Sequence, residues 1–85
     1  MKNNKFLAEV LRFENKILFS YSLKNLSPSK KVTIVRNLRG DNKNKGIVEE
    51  NRGEWLANQI FIVPPNADNL FEKFFINFNI KFTKK

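Results

Sequence analysis

The sequence predicts a small α+β domain: a mixed sheet of about four strands, in the order β-β-α-β-α-β, with two helices packed on one face. Three stretches carry that expectation. Residues 16 to 23 alternate apolar and polar side chains, 27 to 40 read as a capped helix, and the apolar run 59 to 63 ends at Pro64-Pro65 ahead of a phenylalanine-rich helical stripe.

Met1 to Asn4 is polar. In residues 5 to 13, Phe6, Leu7, Val10 and Leu11 sit at helical spacing, yet the segment is short and aromatic enough for a strand. The neighbouring residues 16 to 24 favour the strand. Ile17, Phe19, Tyr21 and Leu23 share one face and Ser20, Ser22 and Lys24 the other, the pattern of a half-buried strand. Glu14-Asn15 is then expected as a two-residue hairpin turn, with an initial helix as the rival.

Ser27 is placed to cap a helix, Pro28 falls at its first position, where a missing N–H costs nothing, and Gly40 supplies a stop. Val32, Val35 and Leu38 recur every three residues with Ile34 beside Leu38, so these four are expected to face the core. Lys30, Thr33, Arg36 and Asn37 take the other side. Lys31 falls within the apolar arc and must snorkel, and the β-branched run Val32-Thr33-Ile34-Val35 argues for a strand instead.

Gly40 to Gly46 is a turn-rich loop short enough to be ordered. Residues 47 to 58 show little period and read as a single helical turn ending at Gly53, then an approach to the next strand. Gln59 to Val63 has the composition of a strand buried on both faces near the middle of a sheet. Asn66 as N-cap, Asp68 in the first turn, and Leu70, Phe71, Phe74, Phe75 and Phe78 on one face predict a helix over 67 to 78. Asn79 suits a left-handed end, and Ile80-Lys81-Phe82-Thr83 a short edge strand. Such a layout leaves the second sheet face open, as a binding surface or a contact with another chain.

The 85 residues make one small basic domain, 1 to 85, near the size where a single core gives only a few kcal/mol. Cysteine and histidine are both absent, which removes disulfides, thiolate nucleophiles, the usual zinc sites and the commonest general base. No catalytic residue, metal or cofactor is therefore expected, and the chain is not read as an enzyme. Glu49-Glu50 and Asp41 are the nearest carboxylates in sequence, but neighbours on one element point apart. Apolar runs are too short to cross a bilayer and Phe6-Leu7-Ala8 is broken by Glu9, so neither a membrane span nor a signal peptide is expected, and the compartment is taken as cytoplasmic.

The net charge is +8. Lys, Asn, Ile and Phe are also what A+T-rich codons specify, so the distribution says more than the total. Residues 15 to 45 carry eight basic groups against Asp41 alone, whereas 46 to 80 carry two basic and five acidic groups. Uniform drift would not produce that asymmetry. A basic surface built by the middle of the chain suits a polyanion, with Lys24, Lys30, Lys31, Arg36, Arg39, Lys43 and Lys45 meeting phosphates. Tyr21 and Trp55 could stack on unpaired bases, although Trp55 beside Leu56 also reads as a core-edge residue and Phe19 as core.

There is no Gly-rich phosphate loop followed by Lys-Ser/Thr, no GxxG clamp, no aromatic ribonucleoprotein signature and no zinc spacing. The order of elements resembles several ribonucleoprotein-type α+β domains, a likeness of fold alone. The expectation is a nucleic-acid-binding accessory protein, RNA ahead of DNA, using residues 24 to 45. The alternative is an interaction module that completes a homodimer or larger assembly through the open sheet face or an edge strand.

Overall fold

The computed structural model describes residues 16 to 85. The strand expected over 5 to 13 and the turn at Glu14-Asn15 lie outside them.

Strand β1 (Ile17–Ser22) is followed by helix α1 (Pro28–Arg39), a single turn α2 (Ile47–Glu50), strands β2 (Glu54–Ala57) and β3 (Ile60–Val63), a 3-10 turn (Pro65–Ala67), helix α3 (Asp68–Asn77) and strand β4 (Lys81–Lys84). The α+β class holds. The sheet, however, is antiparallel between every pair of neighbours, in the order β2-β3-β1-β4, rather than mixed. Two features cause this. A two-residue connection, Asn58-Gln59, makes β2 and β3 a hairpin, and each helical crossover skips one strand, so β1 and β2 are parallel only across β3, and β3 and β4 only across β1. The result is a pair of interlocked split βαβ units.

The alternation in β1 sets the core. Phe19 and Tyr21 point to the helices, paired across the ladder with Phe61 on β3 and Phe82 on β4. Ile34 and Leu38 from α1 and Phe71 and Phe75 from α3 close over the same cluster, so both helices lie against one face. Phe19 is central: its ring lies 5.5 Å from Phe61, 5.8 Å from Phe71, 5.7 Å from Phe75 and 6.1 Å from Phe82. Offset and tilted pairs at such spacings each add roughly 0.5–1.5 kcal/mol beyond burial. Among the described residues, no polar or charged side chain is buried.

Helix ends follow the sequence more closely than helix faces do. Ser27 Oγ accepts from Lys30 N at 3.3 Å, Pro28 is the first helical residue, and Gly40 N donates to Arg36 O at 2.7 Å. Asn79 is left-handed (φ 57°) as expected, and Ile80 N donates to Phe75 O at 2.9 Å, the six-to-one bond of a Schellman end. The face of α1 differs. Ile34 and Leu38, four apart, are the buried pair, while Val32 and Val35 are 54% and 38% exposed. A stripe spaced by threes drifts round a helix that turns every 3.6 residues, so only part of it can face the sheet. On α3, Leu70 is likewise exposed, and Asn66 does not cap, because the 3-10 turn runs through it and α3 starts at Asp68.

The second sheet face is not bare. Leu18, Ser20, Ser22, Ile60, Ile62 and Thr83 share it by register, but Ile62 is only 4% exposed and Leu18 and Ile60 are half-buried. No aromatic ring of β1, β3 or β4 points to that side.

Phe19→Ala is expected to remove about 3–5 kcal/mol, comparable with the whole stability of so small a domain. Its urea transition, followed by the emission of the one tryptophan, should vanish or move close to zero denaturant. Val32→Ala, at an exposed site, should move that transition by less than about 0.5 kcal/mol.

Candidate nucleic-acid interface

The expected cations lie on three pieces of chain. Lys24 is exposed in the turn after β1, which Asn25 closes in the left-handed region (φ 70°). Lys30, Lys31, Arg36 and Arg39 project from α1. Lys43 and Lys45 belong to the loop that leaves it. Lys30 and Arg39 are separated by about 13 Å along the helix axis, and Lys30 and Arg36 by roughly 120° around it, so the helix distributes its charge over two sides. Lys30 is half-buried, unlike the other six, which are exposed. Lys31 and Arg36 border one shallow groove floored by Val32 and Val35 and ending at Gly40.

The loop is held by its own backbone. Gly40, with φ 85°, bridges to Lys45, and Asp41 N donates to Asn44 O at 2.8 Å. A β-carbon on Gly40 would strike the backbone of Asn44 and Gly46, and one on Gly46 would strike that of Leu38 and Arg39. Both glycines are thus required for the loop to fold against the end of α1. Asp41 Oδ1 accepts from Lys43 N and Asn44 N, each at 2.9 Å. Those backbone donors, helped by the charge of Arg36, hold its pKa below the ordinary aspartate value. With the folded pKa depressed, the contribution of this turn is full at neutral pH and is lost as the pH falls through that pKa. The one acidic residue of the basic stretch therefore spends its charge on the loop that presents Lys43 and Lys45.

None of the seven cations has a carboxylate within 4.0 Å among the described residues. Glu49, Glu50 and Glu54 do not reach them, and the ion pairs that do form belong to Lys84, whose Nζ lies 2.8 Å from Glu72 Oε2 and 3.2 Å from Asp68 Oδ1. Hydrogen bonds to these two carboxylates raise the Lys84 pKa. The position of Lys30 and Lys31 is also informative. They stand in the first turn of α1, which has no acidic residue, so they oppose the helix dipole, whereas Arg36 and Arg39 in the last turn complement it.

Arg39 is placed differently from its neighbours. Its Nη2 donates to Asn58 O in the β2–β3 turn at 2.8 Å, and its Cζ lies 3.7 Å from the centroid of the Trp55 ring. This contact was not legible in the sequence, where the two residues are far apart. Tyr21, expected among the binding residues, is corrected: it is 6% exposed, 5.3 Å from Phe75 and edge-on to Trp55 at 6.4 Å, leaving no ring face for a base. It alternates in phase with Phe19, so the register that buries one buries the other. Burial pushes its phenol pKa up, opposed in part by the charge of Arg39. Among the described residues, no three His, Cys, Asp or Glu side chains converge as metal ligands, and no helix is long and apolar enough to cross a membrane.

Two measurements check this geometry. Arg39→Ala is expected to cost about 1–2 kcal/mol in urea unfolding, from a surface cation–π contact and one charge-assisted hydrogen bond. In an absorbance titration the lone tyrosine should ionise above its ordinary 10.0 while the protein is folded. Because the folded pKa is the raised one, stability should be full below 10.0 and decline as the pH climbs through the folded value. Compared with family models, curated proteins and solved structures, the chain matches none, which leaves the geometry to carry the functional reading.

Proposed function

We propose that this domain binds nucleic acid through the phosphate backbone, with RNA as the first ligand to test, using Arg36, Lys43 and Lys45 at the end of α1, Lys31 along it, and Lys24 and Lys30 as outlying contacts. One observation carries the reading: the cations of the 24 to 45 stretch have no acidic partner among the described residues, although the chain pairs Lys84 twice over. Placing two lysines against the dipole of α1 costs stability, with no ion pair among the described residues to offset it, and such local conflicts gather at functional surfaces. The loop presents its lysines from a closed backbone, and a row of this kind meets phosphates without reading sequence.

The rival, an interaction module, draws support from Val32 and Val35, exposed between Lys31 and Arg36. Its edge-strand form is disfavoured. One sheet edge, β4, carries Lys81, Lys84 and Lys85 at its end, and the other, β2, is short and broken by a register shift between Trp55 and Ala57, both devices that discourage strand pairing.

Gel retardation of RNA across a salt series tests the proposal. The logarithm of the affinity should fall with the logarithm of salt by roughly 0.7 to 0.9 per phosphate contact, and Lys43→Ala and Lys45→Ala should each reduce that slope by about 1. Lys73→Ala, on α3, should leave the slope as it is. Absence of retardation at low salt, with a stable dimer in sedimentation, would move the assignment to the rival.

A further inference from the structure

Among the described residues, Arg39 is the one cation of α1 and its loop whose charged group makes side-chain contacts with another element. With Cζ 3.7 Å from the Trp55 centroid, the guanidinium sits over the indole face, close enough for stacking. The hydrogen bond to Asn58 O, 2.8 Å long, tethers the group at a second point. Trp55 is itself half-buried and packs 5.1 Å from Phe61 and 6.4 Å from Tyr21, both core residues. One face of the cation is thus covered by the indole and part of its edge by a carbonyl. Arg39 is nevertheless exposed, so the side of the cation away from the indole is the one a ligand could reach.

A flat, weakly hydrated cation held at two points with one face open is a surface for another flat ring. Unpaired bases stack on guanidinium planes as they do on aromatic side chains, and the open N–H edge can serve an adjoining phosphate. We infer that Arg39, backed by Trp55, is a stacking platform for one unpaired nucleobase, forming a three-layer stack of indole, guanidinium and base, with Arg36 and the lysines of the 40 to 46 loop on the flanking phosphates. The inference rests on the nucleic-acid reading and narrows its ligand to single-stranded or looped nucleic acid, since a fully paired duplex offers no free base face. It also supplies a base contact that the burial of Tyr21 and of the β1 and β3 rings denies to the sheet. Pre-alignment by Trp55 and Asn58 means that little side-chain freedom is lost when the base arrives.

The test uses the full chain and two fluorescently labelled probes of equal length, an oligouridylate and an abasic ribose-phosphate oligomer, with affinity read by anisotropy at one low salt concentration. The wild type should favour the base-bearing probe roughly tenfold, in line with the effect of a single stacked base. R39K keeps the charge and removes the plane, so its preference should collapse toward unity with an unchanged salt slope; K43A should keep the preference and flatten the slope. Independently of any variant, the Arg39 Nε–H resonance should move upfield with the oligouridylate and not with the abasic oligomer, from the ring current of the stacked base. Equal affinity of the wild type for both probes, or a preference that survives in R39K, overturns the platform while leaving phosphate binding in place. Failure of both probes to bind overturns the platform and the nucleic-acid reading together.

Discussion

The contact of Phe19 with four other rings is the constraint on which the rest of the structure depends. It joins three strands and α3 at one point, and its register, Phe19 opposite Phe61, decides which side chains of β1 and β3 turn inward. A domain of this size has little core to spare, and this one concentrates rings on the helix side of the sheet. The other side receives Leu18, Ser20, Ser22, Ile60 and Ile62. A sheet platform of aromatic rings for bases is incompatible with that allocation, so the stability of the fold and the position of the binding surface are linked. The recognition surface proposed above accordingly lies on α1, its loop and the rim of the β2–β3 hairpin.

That placement accords with the build of α1. Ile34 and Leu38 are its only buried side chains, and most of the rest of its surface is exposed. Its entrance is secured by Ser27 and Pro28 and its exit by Gly40, so the helix does not rely on burial along its whole length. At its end, Arg39 reaches across to Trp55 and Asn58, tying the first crossover to the hairpin beyond it. On the opposite edge, Lys84 ties β4 to α3 through Asp68 and Glu72. The two clips differ in kind: one satisfies a cation with carboxylates, the other leaves its cation uncompensated.

Sequence reasoning succeeded at most points where a local chemical rule acts within a few residues, the Asn66 cap being the exception. Ser27, Pro28, Gly40 and Asn79 behave at the helix ends as their side chains dictate, and the alternation from Ile17 to Ser22 becomes β1. It failed where the outcome is set between elements. Strand β2 was hidden because the shift between Trp55 and Ala57 breaks its period and its turn, Asn58-Gln59, lacks glycine. Val32 and Val35 were assigned to the core because three-residue and four-residue spacings look alike over one short helix. For the site, the cations of α1 and the closed loop were legible from charge runs and paired glycines. Burial of Tyr21 and capture of Arg39 by Trp55 depend on which strands pair, and no spacing in the chain announces that.

The backbone closure of the Gly40 to Gly46 loop has a kinetic consequence. A loop that acquires its shape only on the ligand imposes a slow, ordering-limited association; this one is shaped before any encounter, by Asp41, by the Gly40 to Lys45 bridge and by two glycines that admit no side chain. Under the proposed function, capture of a polyanion is set by diffusion in the field of the fixed charges, and release by exchange with mobile ions. The proposed function then implies a partner turned over quickly rather than held long.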